Sequence, residues 1–290
     1  MVQILKPHPA LEPFVLFYAV TRGFFATSEN HVMSARGLPM LIFPYKSPSS
    51  TSYRYGLEGG NVYPRQMLDK PALLTSTDMF SQSHFAGDIH FVMVMLQMTG
   101  GYHFLRSGVN GLSSQVNLLD NYGMPSYFDE LQERLWEVEE PQAAVAMIEP
   151  YLIRHFCRQK ALKINDLTPV SDYMMRMPPG NLTVKDLTKK FRCSDRWLER
   201  NFAQQTGMAP KTWLRVLRFR AAVSYLEYYP GCSWMEIVVR FGYANHSHLI
   251  NDFQQFAGSS PVFHVANYGR SEAMVGFNRS DLYANHHHAA

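Results

Sequence analysis

The sequence predicts an α+β chain in two parts: a β-rich amino-terminal part closed by a helical hairpin, and an all-α carboxy-terminal part built from one unit used twice. Three observations predict this. Short strand-like runs punctuated by Gly and Pro fill the chain up to residue 110. Near Ser126 the hydrophobic period then lengthens from about 2 to about 3.6 residues. Finally, the stretch Asn181–Tyr268 repeats itself at an offset of fifty and then fifty-one residues. With 290 residues there is chain enough for two cores.

Taken in order, Phe14–Val20 is short and aromatic or β-branched, as a strand or a short helix would be. His31–Pro44 reads as strands around a turn at Gly37-Leu38-Pro39, with Met40–Phe43 buried and ended by Pro44. Ser47–Ser52 is a polar loop. Tyr53 and Tyr55 flank Arg54 as in a half-exposed strand, and Gly56, Gly59 and Gly60 turn the chain. Leu73–Thr75 and Phe80–Phe85 are further strands, and Gly87-Asp88 suggests a turn. Ile89–Met98 is apolar at successive positions, so both of its faces should be covered; Gly100-Gly101 closes it. Such a run of strands points to a barrel or sandwich.

Ser126–Val138 places Phe128, Leu131 and Leu135 on one helical face. Pro141 fits the first turn of the next helix, which carries Val145, Ile148, Leu152 and Phe156 and is expected to kink or split at Pro150. The two form an antiparallel hairpin over about 126–157 that can serve as packing for the sheet or as a homodimer surface. Residues 1–157 are thus one domain and the polar, basic residues 158–168 a linker. Val170–Met177 opens the domain 169–268 and is stopped by Pro178-Pro179-Gly180; residues 269–290 are a polar tail. His286-His287-His288 belongs to that tail and is not read as a metal site.

Within the repeat Thr183 falls on Ser233, Asp186 on Glu236, Leu187 on Ile237 and Phe191 on Phe241. After one inserted residue, Leu198 falls on Leu249, Phe202 on Phe253, Gly207 on Gly258 and Pro210 on Pro261. Each copy starts with a capping box, Thr183-x-x-Asp186 or Ser233-x-x-Glu236. A short turn follows, then an N-cap, Ser194 or Asn245, and a second amphipathic helix ended by Gly. A short helix, a tight turn and a second helix make a helix-turn-helix, which lays its second helix in a DNA major groove. Two copies joined by Lys211–Leu226 favour double-stranded DNA as partner over a helical bundle with no DNA.

Charge agrees. The net charge is +3, divided as −1 over residues 1–165 and +5 over 166–270, so the basic excess sits on the repeat, where a phosphate backbone would want it. Cys157, Cys193 and Cys232 show neither a C-x-x-C pair nor zinc spacing and suit a reducing cytosol. A redox role for Cys193 competes with that of a small half-buried side chain. No apolar run could span a membrane and the start lacks a secretory pattern, so a cytoplasmic protein without membrane association is expected. His84, His90 and His103 lack a tight H-x-H pair with a following Glu, and no catalytic set or phosphate loop is recognisable. The chain is therefore expected to be no enzyme and to carry no metal or cofactor. Met- and Phe-rich strands can line a pocket for a small apolar effector, or simply fill a core.

With its apolar set inward, the first reading helix presents Asp195, Arg196, Glu199, Arg200 and, near its end, Gln204. Arg196 and Arg200 can reach guanine O6/N7 or a phosphate, with Glu199 behind them. The second helix presents His246, Ser247, Ile250 and Asn251; Asn251 can pair with adenine and Ile250 can touch a thymine methyl. No Lys or Arg lies between Asn245 and Ala266, and Asp252 is expected to repel phosphate. The second copy is therefore expected to dock more weakly, or to read shape. Lys189, Lys190, Lys211 and Arg218 are candidate phosphate contacts, while Trp197, Trp213 and Trp234 are expected in the core.

The doubled segment resembles the DNA-binding domain of the AraC/XylS family of bacterial transcription regulators. The resemblance rests on LTVKDLTKKFRCSDRWLERNFAQQTGMAPKTWLRVLRFRAA and SWMEIVVRFGYANHSHLINDFQQFAGSSP, and within them on Arg196-Trp197-Leu198-Glu199-Arg200-Asn201-Phe202, Gly242-Tyr243 and Ser247-His248. Residues 1–157 look more weakly like the family's cupin-like sensor domains. The resemblance implies a seven-helix domain with two recognition helices in successive major grooves. It also implies an amino-terminal domain for effector binding or dimerisation, and a lean towards activation, with RNA polymerase then a partner. Two other readings stay open: a non-enzymatic protein-interaction module, and a cupin-like metal enzyme fused to a helical domain.

Overall fold

The computed structural model describes residues 2–46, 51–55, 66–112, 116–157, 166–229 and 231–267. The polar loop from Ser47, the glycines 56, 59 and 60, most of the linker and the tail from 269 onward lie outside these residues. Among these residues eight strands form one antiparallel sheet: β1 Val2–Leu5, β2 Val15–Met33, β3 Met40–Pro44, β4 Ser52–Tyr55, β5 Gln66–Met67, β6 Ala72–Leu74, β7 Ser81–Leu96 and β8 Asn117–Leu118. Their order is β1-β2-β7-β3-β6-β8, with β4 paired to β7 and β5 to β4.

Strand β7 is the spine, and its alternation explains why both faces are apolar. Ile89, Phe91, Met93 and Met95 enter one core, whereas Val92, Val94 and Leu96 enter another. The expected turn at Gly87-Asp88 does not form. β7 runs straight through, with Gly87 at φ +68°, and the irregularity is absorbed opposite, where the β2 register slips between Phe25 and Glu29. Gly100-Gly101 does close β7, but as the first turn of a short helix, α1 Gly100–Leu105, which the glycines had hidden.

The hairpin is α2 Tyr127–Leu135 and α3 Pro141–Cys157. Pro150 sits inside α3, which runs through it as one helix, so of the expected kink or split the split does not occur. Phe128, Leu131 and Leu135 of α2 and Ile148, Leu152 and Phe156 of α3 are buried in the core that holds Val92 and Val94. Among the described residues, no large hydrophobic side chain of the hairpin is exposed. The apolar stripes are therefore spent on the sheet.

Among the described residues seven helices follow: α4 Thr168–Arg176, α5 Val184–Phe191, α6 Asp195–Thr206, α7 Pro210–Tyr228, α8 Trp234–Arg240, α9 His246–Ala257 and α10 Pro261–Asn267. The punctuation read from sequence is what stops and starts them. Thr183 and Asp186 close a full capping box on α5. Ser233 caps α8, but Glu236 turns away to accept from the Tyr225 hydroxyl at 2.6 Å. Ser194 and Asn245 cap α6 and α9, which end at left-handed Gly207 and Gly258.

The sheet and the first helical unit share a core. Met33, Met40 and Phe91 lie in one buried cluster with Met174, Leu198, Phe202 and Trp213. Between the two helical units the backbones nearly touch. A Cβ at Gly180 (φ +91°) would overlap the Phe241 carbonyl oxygen, so that position is closed to any other residue.

The two turns differ in one respect. The left-handed position after the first helix of each unit is Gly242 in the second copy (φ +66°) but Arg192 in the first (φ 50°). A left-handed non-glycine residue is strained by about 1–2 kcal/mol. Arg192→Gly is therefore expected to raise stability by about 0.5–1 kcal/mol. A urea titration checks this, and a midpoint that stays or falls counts against it.

Candidate nucleic-acid interface

The second helix of the first unit, α6, buries Leu198, Phe202 and Gln205 and turns Asp195, Arg196, Glu199 and Arg200 to solvent. Its amphipathic spacing dictates this, since the buried positions recur at three to four residues. Among the described residues neither Arg196 nor Arg200 is in an ion pair, so each is available to a ligand. Gln204 is also exposed, but at the far end of α6, where its carbonyl accepts from the Val109 backbone at 2.8 Å. That end of the helix is tied to the sheet domain.

In α9, His246, Ser247 and Asn251 are exposed and Ile250 is half-buried. The rear of α9 is held as α6 is: the Phe256 carbonyl accepts from the Ala35 backbone at 2.7 Å. Both α6 and α9 thus have a late carbonyl, one that α-helix geometry leaves without a partner, satisfied by the sheet domain.

Asp252 is not the phosphate-facing acid that its sequence position suggested. It is fully buried, with Arg215 at 2.6 Å and Arg218 at 3.0 Å. Arg218, a candidate phosphate contact, points inward to this carboxylate, and its side chain is only 12% exposed. The buried Tyr243 ring lies under Arg218 at 4.2 Å, and burial pushes the Tyr243 phenol pKa well above its usual value. Of the other phosphate candidates, Lys189 and Lys211 are exposed, and Lys190 lies over the Tyr173 ring at 4.6 Å.

A groove of about 650 Å³ runs between the two units, lined by Met177, Pro179, Leu214, Lys185, Lys211 and His248 among others. Lys185 escaped notice in the sequence because it sits beside a capping box, yet here it faces the same groove as Lys211. Trp213 is buried, while Trp197 and Trp234 are half-buried, so all three serve packing. Burial raises the pKa of the Cys193 thiol, which lowers its thiolate fraction and its suitability as a redox sensor. His84 and His90 share the continuous β7, but among the described residues no group of three His, Cys, Asp or Glu could hold a metal. No helix there is long and apolar enough to cross a membrane.

Residues 187–262 match the family model described as a helix-turn-helix domain. No curated protein matches the chain. Among solved structures, ToxT from Vibrio cholerae bound to (E)-4-(8-methylnaphthalen-1-yl)but-3-enoic acid is similar at 10% identity and TM-score 0.47, covering 86% of this chain and 98% of that one. Unsaturated fatty acid-bound ToxT from the same organism gives 10% identity, TM-score 0.46, and 86% and 94% coverage. The AraC-like transcriptional activator CuxR gives 11% identity, TM-score 0.28, and 68% and 74% coverage.

Proposed function

We infer that this chain, whose residues 187–262 match a helix-turn-helix domain, is a DNA-binding transcription regulator of the AraC type, and that α6 and α9 enter successive major grooves on one face of the duplex. The observation that carries this is the outward, unpaired set Arg196, Glu199 and Arg200 on α6, matched by His246, Ser247, Ile250 and Asn251 on α9. Arg196 and Arg200 read guanine edges or hold phosphate; Asn251 and Ile250 read an A·T pair. Lys189, Lys190 and Lys211, joined by Lys185, supply phosphate contacts.

The experiment is footprinting of the full chain on duplexes it selects from a random-sequence library, at several salt concentrations. Two protected grooves about 34 Å apart are expected. The logarithm of the binding constant should fall with the logarithm of salt by about 0.9 per neutralised phosphate. Lys211→Ala should weaken all sequences alike and reduce that slope by about 1. Binding without salt dependence would instead support a protein-interaction module.

The sheet domain is the regulatory half of this proposal. Its inner Met and Phe side chains share a core with α4, α6 and α7, so a small apolar effector lodged there would act on the seat of the first reader. A homodimer through the α2–α3 hairpin would have to use its polar outer face, including Glu130, Glu133 and Arg134, because the apolar face is covered. Activation, with RNA polymerase as partner, is proposed on the family resemblance alone.

A further inference from the structure

Helix α9 has no Lys or Arg of its own, and its single acid is sealed inside. Two arginines of α7 reach that acid and then continue past it. Arg215 donates to Asp252 Oδ1 through Nη2 (2.6 Å) and Nε (3.2 Å), donates to Gln255 Oε1 (2.9 Å), and lies over the Phe256 ring at 5.1 Å. Arg218 donates to Asp252 Oδ2 (3.0 Å), to His248 Nε2 (3.2 Å) and to the Gly242 carbonyl (3.5 Å), and covers the Tyr243 ring. The cluster therefore grips α9 at positions 248, 252, 255 and 256, and also grips the turn that leads into it.

Apolar contacts alone leave a short helix some freedom to roll about its axis, because they have no direction. A guanidinium fork has fixed directions, and its bonds to a buried carboxylate are strong. His248 lies between Ser247 and the pair Ile250 and Asn251, so the angle at which Arg218 holds it is the angle at which those side chains leave the protein surface.

We propose that Arg218, anchored on Asp252, is the positioning residue of the second reader: it sets the roll of α9, and so decides whether Ile250 and Asn251 meet base edges. This rests on the reading of α9 as a groove-entering helix. It also reverses a simple electrostatic expectation. Removing a negative charge from a reading helix should strengthen DNA binding, whereas removing the Asp252 charge from this clamp weakens it.

The test uses the full chain and a duplex selected by the unaltered protein from a random-sequence library. Asp252→Asn and Arg218→Lys are footprinted on it, with thermal melting and near-UV circular dichroism as controls for folding. At a protein concentration that saturates the α6 groove, both variants should need about tenfold more protein to protect the α9 groove. Arg218→Lys keeps the net charge, so an unchanged salt slope separates positioning from electrostatics; if Asp252→Asn unfolds, Arg218→Lys decides alone. Wild-type protection of the α9 groove by Arg218→Lys, or equal or tighter protection by Asp252→Asn, overturns the proposal. A single protected groove with the unaltered protein overturns the paired-reader reading itself, and the proposal with it.

Discussion

Truncating Arg200 to alanine is expected to weaken binding to a selected duplex by about 1–3 kcal/mol, and Asn251→Ala to weaken it less. Arg200 is exposed and unpaired in the free protein, so no internal partner must be given up when it binds. It presents a planar, always-charged fork that suits guanine O6/N7 or a phosphate pair. Asn251 is exposed too, but it is shorter and neutral, so its loss removes a hydrogen-bonding pair without an ionic contribution. Because both side chains lie at the surface, neither change should move stability by more than about 0.5 kcal/mol. Gel-shift titrations at one fixed salt concentration read the difference. Comparable losses at the two positions would remove the asymmetry between the readers.

Trp213→Ala should cost about 3–5 kcal/mol of stability, the largest effect expected of any single change described here. Trp213 is 1% exposed and sits where three parts meet. Its Nε1 donates to the Gly37 carbonyl of the sheet domain at 2.5 Å. Its ring meets Phe202, in the core of the first helical unit, edge-on with centroids 6.3 Å apart. Its backbone belongs to α7, which joins the two helical units. Alanine leaves a cavity that three elements would have to collapse together to fill, and it leaves the Gly37 carbonyl with only the Ser76 hydroxyl as donor, at 3.1 Å. Trp213→Phe keeps most of the ring and loses mainly the hydrogen bond, so it should cost about 1 kcal/mol beyond the smaller loss of packing. Urea unfolding of both variants is the measurement. A loss below about 1 kcal/mol for alanine would mean that this junction contributes little to holding the parts together.

The helical half was legible because its signals are local. A Ser, Thr or Asn at an N-cap satisfies a backbone donor two or three residues away, and a left-handed Gly ends a helix within one turn. Thr183, Ser194, Asn245, Gly207 and Gly258 could therefore be placed from the chain alone, and each does in the structure what its chemistry requires. The sheet was less legible. Gly87-Asp88 looks like a turn because glycine usually marks one, but the partner strand β2 absorbs the irregularity, and the partner is chosen by residues sixty positions away. Pro150 stays within α3 because the helix packs along its length against the sheet, and tertiary contacts outweigh local propensity.

What the sequence determined by itself was the existence of two helix-turn-helix units and the outward facing of Arg196 and Arg200, since the 3.6-residue period assigns each position to a side. What only the tertiary structure decided was the fate of charges at the boundary between sides. Asp252 and Arg218 lie at such positions, where periodicity permits either solvent or interior. The choice was made by α7, which brings two arginines to one carboxylate across more than thirty residues of chain. A buried charge is tolerable only when paired, and pairing depends on which segments the fold brings together.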